Sequence, residues 1–218
     1  MPVNKKSSSL SWLRWGLLGS GLLLSLVLIA LKLSPSRAVK PEPLPVYGQV
    51  QDFALTNQAG RAFGLDALRG HIWLADIIFT RCAGPCPRMT AEMSRIQRTL
   101  AASDDVRFVS LTADPEFDQP SILKRYGERF SADFGRWDFL TGPREVIYRL
   151  ATKDLLLVVA EVKPGERESP ADLFLHSTKF ILVDGTGRLR GVFEGENPES
   201  TRSIVAAARA LLAERRTQ

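Results

Sequence analysis

Cys82 and Cys86 are the only cysteines in this 218-residue chain, and three residues separate them in FTRCAGPCPRM, residues 79–89. A thiolate pair can exchange with disulfides or hold a metal. Redox enzymes of the CxxC type bridge their sulfurs across one tight turn, whereas Ala83, Gly84 and Pro85 allow a wider loop that can aim both sulfurs at one outside point. A disulfide stays possible while the alpha carbons lie within about 7 Å of each other, so the spacing tilts toward a chelate without excluding exchange. Two thiolates leave a metal short of ligands, and the chain has two histidines to offer. His71 precedes the apolar run that ends at the cysteines and reads as an edge residue at its far end. His176, in LFLHSTKFILVD, stands just before a hairpin signal and is the candidate third ligand. Two sulfurs and an imidazole form a soft set suited to Cu(I), and one more oxygen would admit Cu(II). Structural zinc would want a fourth protein ligand. Met89 and Met93 fall at helical spacing with Ile96 and Leu100, which reads as core packing.

These residues need a scaffold, and its order is legible. HIWLADIIF, residues 71–79, is the almost continuous apolar run of a strand buried on both faces, with Asp76 as its one acid. Asp76 either faces a polar gap near the site or marks an exposed strand edge, the latter being the simpler reading. Residues 88–102 repeat apolar positions as a helix does, with Pro87 suited to its first turn. VRFVSLTA is a strand, DQPSILKRYGERF a helix with Asp118 as its expected cap, WDFL a short strand or turn, and REVIYRLAT a helix. Residues 155–175 begin as a strand and turn irregular. KFILVDGTGRLRGVFEG is a hairpin with its reversal at residues 183–188, and an amphipathic helix closes the chain. With a small leading hairpin turning near Gly60, this is the order of an α/β, thioredoxin-like fold: a mixed sheet covered by helices. In that fold the loop before the late hairpin faces the loop after the first core strand, which lets His176 reach the cysteines.

Four of the 29 basic residues (Lys5, Lys6, Arg14, Lys32) precede residue 34, leaving 25 against all 24 acids. A near-neutral remainder gives no nucleic-acid footprint. Residues 15–31, WGLLGSGLLLSLVLIAL, are seventeen uncharged, mostly apolar residues beside Trp12 and Trp15, at the lower limit for a bilayer span. No small-x-small cleavage site follows. The expectation is an uncleaved anchor with a cytoplasmic tail (residues 1–33), a tether with four prolines (34–48) and one domain (49–218). Basic residues flank the apolar run equally, so charge does not orient it. A cysteine pair suits an extracytoplasmic space.

The motif FTRCAGPCPRM, the later SLTADPEFDQP and the segment LHSTKFILVDGTGRLRGVF together resemble the Sco/SenC family, from about Val50 to the last helix. The resemblance implies a membrane-anchored, thioredoxin-like copper protein that assists assembly of the binuclear copper centre of cytochrome c oxidase. It implies one copper per chain, Cu(I) or Cu(II), on Cys82, Cys86 and His176, a copper-receiving oxidase subunit or another copper chaperone as partner, and no nucleic acid. Asp114, Pro115 and Asp118 match the family's DPxxD pattern, which reads either as a loop leading to a helix cap or as a partner-docking element. The family often carries Val-Asp before the ligand histidine; Phe174-Leu175 stand here, removing an acid that could orient the imidazole. Family members have been linked to thiol reduction as well, so a thiol-disulfide oxidoreductase using Cys82 and Cys86 is the alternative. Against it stand the spacing and the absence of a proline in HSTKF where reductases of this fold place one. A peroxidase would want Thr three residues before its cysteine, where Phe79 and Ala83 stand. The short tether and the lack of an Arg/Ser-rich transit segment favour the inner membrane, with the domain in the periplasm, over a mitochondrial membrane.

Overall fold

A computed structural model of the chain describes residues 43–167 and 173–216, with residue 25 in isolation. The expected anchor and most of the tether lie outside them, and no helix among the described residues is long and apolar enough to cross a membrane.

The main sheet has eight strands: β1 (Gly48–Gln49), β2 (Ala54–Asn57), β3 (Ala62–Gly64), β4 (Ile72–Ile78), β5 (Val106–Thr112), β6 (Trp137–Thr141), β9 (Lys179–Val183) and β10 (Arg188–Glu194). Their spatial order is β1-β10-β9-β4-β5-β6-β2-β3. Between them in the chain, β7 (Val159–Glu161) and β8 (Phe174–His176) pair as a separate two-stranded ribbon. The helices are α1 (Pro85–Thr99), α2 (Pro120–Arg129), α3 (Arg144–Arg149), which continues as one π turn over Leu150–Asp154, and α4 (Pro198–Arg216). This is a mixed α/β fold, a central sheet flanked by helices.

The sheet's directions place the chemistry. Strand β4 runs parallel to β5, β5 parallel to β6, and β9 antiparallel to β4. The C-terminal ends of β4 and β5 therefore lie beside the N-terminal end of β9. Three segments meet at that end: the cysteine loop after β4, the Asp114–Asp118 loop after β5, and the residues just before β9, His176 among them. All seven residues of β4 are buried, as a strand covered on both faces must be, and Asp76 is one of them. It does not sit at an exposed edge, because β9 and β5 flank β4 on both sides.

Other details refine the sequence reading. WDFL belongs to a true core strand, since the Trp137 and Phe139 rings stack at 4.9 Å and are buried. The leading hairpin forms with Gly60 at φ +74 in its turn, and β2 extends the main sheet by pairing with β6. Helix α1 starts at Pro85, earlier than the apolar spacing implies, which draws Cys86 into its first turn. At the opposite end of the sheet, buried Arg190 holds the start of the domain: its guanidinium donates to the carbonyls of Leu44 (2.8 Å) and Pro45 (3.2 Å) while pairing with Asp184 and Glu214 at 2.9 Å each.

Candidate metal centre

Beyond Ile78 the chain makes one turn, closed by the Cys82 N–H donating to the Phe79 carbonyl at 3.2 Å, and Gly84 then leads into α1. Cys86 is fully buried in the helix's first turn, and its Sγ accepts from the Phe79 N–H at 3.5 Å. Cys82 is half-buried, its Sγ accepting from the Gly84 N–H at 3.4 Å. Both thiols are free. The ribbon brings in the third group: His176 Nε2 lies 3.1 Å from Cys86 Sγ. The other ring nitrogen, Nδ1, lies 3.1 Å from the Ser177 carbonyl. A carbonyl only accepts, so Nδ1 carries the proton and Nε2 turns its lone pair toward the sulfur. The two sulfurs and a ring nitrogen of His176 lie within 4.8 Å of one another.

The pair shares charge unequally. The hydrogen bond from Cys86 holds the Cys82 thiol far below its ordinary value against the cost of its burial, with further help from the Cys86 and Gly84 N–H groups. Burial, followed by the Cys82 charge, pushes Cys86 strongly upward. Without metal, Cys82 is thus the thiolate and Cys86 the thiol. Below them, burial raises the Asp76 carboxyl to about 7, opposed by the Ser110 hydroxyl and the nearby His176 ring. Among the described residues neither Asp76 oxygen has a partner at hydrogen-bond geometry; Ser110 stands opposite in register, and its hydroxyl receives the Trp137 Nε1–H at 3.0 Å. With no acid in the position before His176, a backbone carbonyl orients the ring. Phe79 walls the site, edge-on to Phe174 (5.2 Å) and to the His176 ring (5.7 Å).

Sequence reasoning misassigned the Asp114–Asp118 loop. Asp118 does not cap α2: Gln119 occupies the N-cap position, with no side-chain cap bond. Instead the buried Asp118 carboxylate accepts from the Thr80 N–H (3.1 Å), the Thr80 hydroxyl and the Thr112 hydroxyl (2.5 Å). Asp114 receives the Arg81 guanidinium at 2.6 Å. The signal was present in the DPEFD motif, but not its target. The remaining candidates fall where expected. His71 lies just before β4 at the far end, its pKa lowered first by burial and then by Arg107, and Met89 and Met93 are core residues with no exposed surface.

The donor set fits a soft, low-coordinate metal: two sulfurs and an imidazole whose tautomer is already fixed. The surface hollow of about 560 Å³ lined by Gln58, Lys124 and Phe134 shares no residue with this cluster, in which Cys82 and His176 are partly exposed and Cys86 is buried.

Comparison with known proteins agrees. The SCO1/SenC family model matches residues 45–213. The SCO1 protein homolog of Bacillus subtilis is 38% identical over 153 residues, covering 69% of this chain and 76% of the relative. The solved structure of BsSco, described as a member of the Sco family of cytochrome c oxidase assembly proteins and as carrying a disulfide switch, superposes with TM-score 0.66 at 34% identity, covering 78% of this chain and 98% of that one. Copper-bound ScoI of Bradyrhizobium japonicum shares the fold, with TM-score 0.63 at 23% identity, covering 74% and 98%. With the motifs, the sheet order and the Cys-Cys-His cluster in agreement, the chain belongs to the SCO1/SenC family.

Proposed function

We propose that this protein binds one copper ion on Cys82, Cys86 and His176 and passes it on during assembly of the binuclear copper site of cytochrome c oxidase. The observation that carries the reading is the convergence of two free sulfurs and an oriented imidazole within 4.8 Å, in a family whose members include a copper-bound structure and a cytochrome c oxidase assembly protein. The metal is cargo here. A centre with a half-buried sulfur lets a recipient's ligands approach and replace these three one at a time. Residues 1–33 serve as an uncleaved inner-membrane anchor, 34–48 as a tether and 49–218 as the domain, held on the periplasmic side.

The test is a copper titration of the reduced protein beside His176→Ala. The expected result is one copper per chain for the parent. The variant should lose more affinity than the roughly 10–100-fold that removal of an outer-shell partner costs. Unchanged stoichiometry and affinity in the variant would sink the ligand assignment.

A second reading has its own observation. A half-buried Cys82 thiolate beside a buried Cys86 thiol is the asymmetry that thiol-disulfide exchange uses. Cys82 Sγ would attack a target disulfide and expel one target thiolate. Cys86, losing its proton, would then displace the second target sulfur, closing the Cys82–Cys86 disulfide and moving two electrons to the target. Under this reading Cys86→Ser traps a mixed disulfide and His176→Ala leaves turnover intact.

A further inference from the structure

The turn that presents Cys82 spans residues 79–82, and its own backbone supplies one hydrogen bond. Its two central residues are both held from outside, by the two acids of a single loop. Thr80 gives its N–H and its hydroxyl to Asp118, and Arg81 gives its guanidinium to Asp114. The acids are tied to each other and to β5: the Asp118 N–H donates to the Asp114 carbonyl at 2.8 Å, and the Asp114 N–H to the Thr112 hydroxyl at 2.9 Å. Asp118 has no exposed surface, and the donors at hydrogen-bond distance to it are the neutral groups of Thr80 and Thr112. Burying a carboxylate against neutral donors is costly for a fold, and here the carboxylate does nothing for the helix it precedes. Its hydrogen-bonding capacity is spent on the turn before Cys82 and on the strand end beside it.

We propose that Asp118 is a positioning residue for the thiol pair: through Thr80 it holds the 79–82 turn in the form that keeps the Cys82 and Cys86 sulfurs apart and aimed at a shared metal. Asp114 acts on the same turn through Arg81, from a half-exposed ion pair that contributes less. The proposal rests on the copper reading for its metal-binding half, while its geometric half concerns the dithiol alone. Freed from the clamp, the turn can relax and let the sulfurs close on each other. The clamp thus opposes disulfide closure and supports chelation together.

The test uses the full-length chain and five forms: parent, Asp118→Ala, Thr80→Val, Thr80→Ser and the double variant Asp118→Ala with Thr80→Val. Thr80→Val keeps the shape and the N–H but removes the hydroxyl, and Thr80→Ser restores it. Two readouts are taken: copper affinity by competition with a chelator, and the metal-free Cys82–Cys86 reduction potential in a glutathione buffer. Asp118→Ala and Thr80→Val are expected to weaken copper binding by about 10–100-fold. They should also favour the disulfide by about tenfold, close to 30 mV toward more negative potential. The double variant should be no worse than the poorer single one, and Thr80→Ser should return both readouts to the parent's. If Asp118→Ala fails to fold, the Thr80 pair decides the matter. Parental affinity and potential in Thr80→Val, or equal losses in Thr80→Ser, would overturn the proposal. If the parent itself takes up no copper, the copper reading fails, and the potentials still decide whether the clamp positions the sulfurs.

Discussion

Asp76 separates what burial costs from what the site gains. A carboxyl raised from 3.8 to about 7 stays protonated in the folded, metal-free chain while the unfolded chain has already ionised. Folded protein then binds the extra proton, so stability falls as pH rises across that interval, by about 4 kcal/mol in all, and levels off above it. The contribution is whole below the unfolded value and gone above the folded one. Asp76→Asn should therefore flatten the pH dependence of metal-free stability between pH 4 and 8, with its advantage over the parent largest at pH 8. Urea unfolding at several pH values measures this, and parallel curves for the two proteins would refute it. The cysteines are asymmetric at the same scale. Brief alkylation near neutral pH should modify Cys82 well before Cys86, as peptide mass spectrometry would show; equal labelling would remove the basis for assigning Cys82 as the thiolate.

Among the elements, the β7–β8 ribbon carries the imidazole without belonging to the main sheet. Phe174 packs on Phe79, and Arg144 bridges Glu161 on the ribbon to Glu116 in the acidic loop, at 2.9 Å to each. Exposed ion pairs of this kind contribute little, so the aromatic contact should dominate. Phe174→Ala is expected to cost about 1 kcal/mol and to speed hydrogen exchange at amides at the ribbon's end, such as Ser177, which donates to the Val158 carbonyl, more than at β4 amides. Uniform acceleration would mean that the ribbon is no separate unit. This scale also shows the reach of the sequence. HIWLADIIF, VRFVSLTA and the hairpin around residues 183–188 are legible because burial on both faces and turn chemistry leave local patterns. The ribbon is not legible, since strands of three residues are too short to show a period and are fixed by partners far along the chain. Asp118 fails for a related reason. An acid two residues before Pro120 looks like a cap, and only the parallel pairing of β4 with β5 puts Thr80 within its reach. Cys82, Cys86 and His176 could be read together because fold order alone brings their segments to one end of the sheet.

For the whole molecule, the buried cluster at the far end ties the first described residues to the sheet and the last helix. Arg190 answers Asp184 and Glu214 and holds the Leu44 and Pro45 carbonyls. Arg190→Ala would take one of the two guanidiniums from Asp184, which keeps Arg188 at 2.9 Å, and would free the Leu44 and Pro45 carbonyls; it should cost about 1.5–3 kcal/mol, the range for hydrogen bonds to charged groups. Thermal unfolding of the full-length chain tests it; a loss under 1 kcal/mol would show that water reaches the cluster freely.

That cluster also fixes a distance. Leu44 is fastened at the foot of β4 and the thiols stand past its head, about 20 Å away at the usual rise of a strand. The start of the described domain and the thiol pair thus lie at opposite ends of one packed sheet, and whatever meets the sulfurs does so a full strand length from where the domain's chain begins.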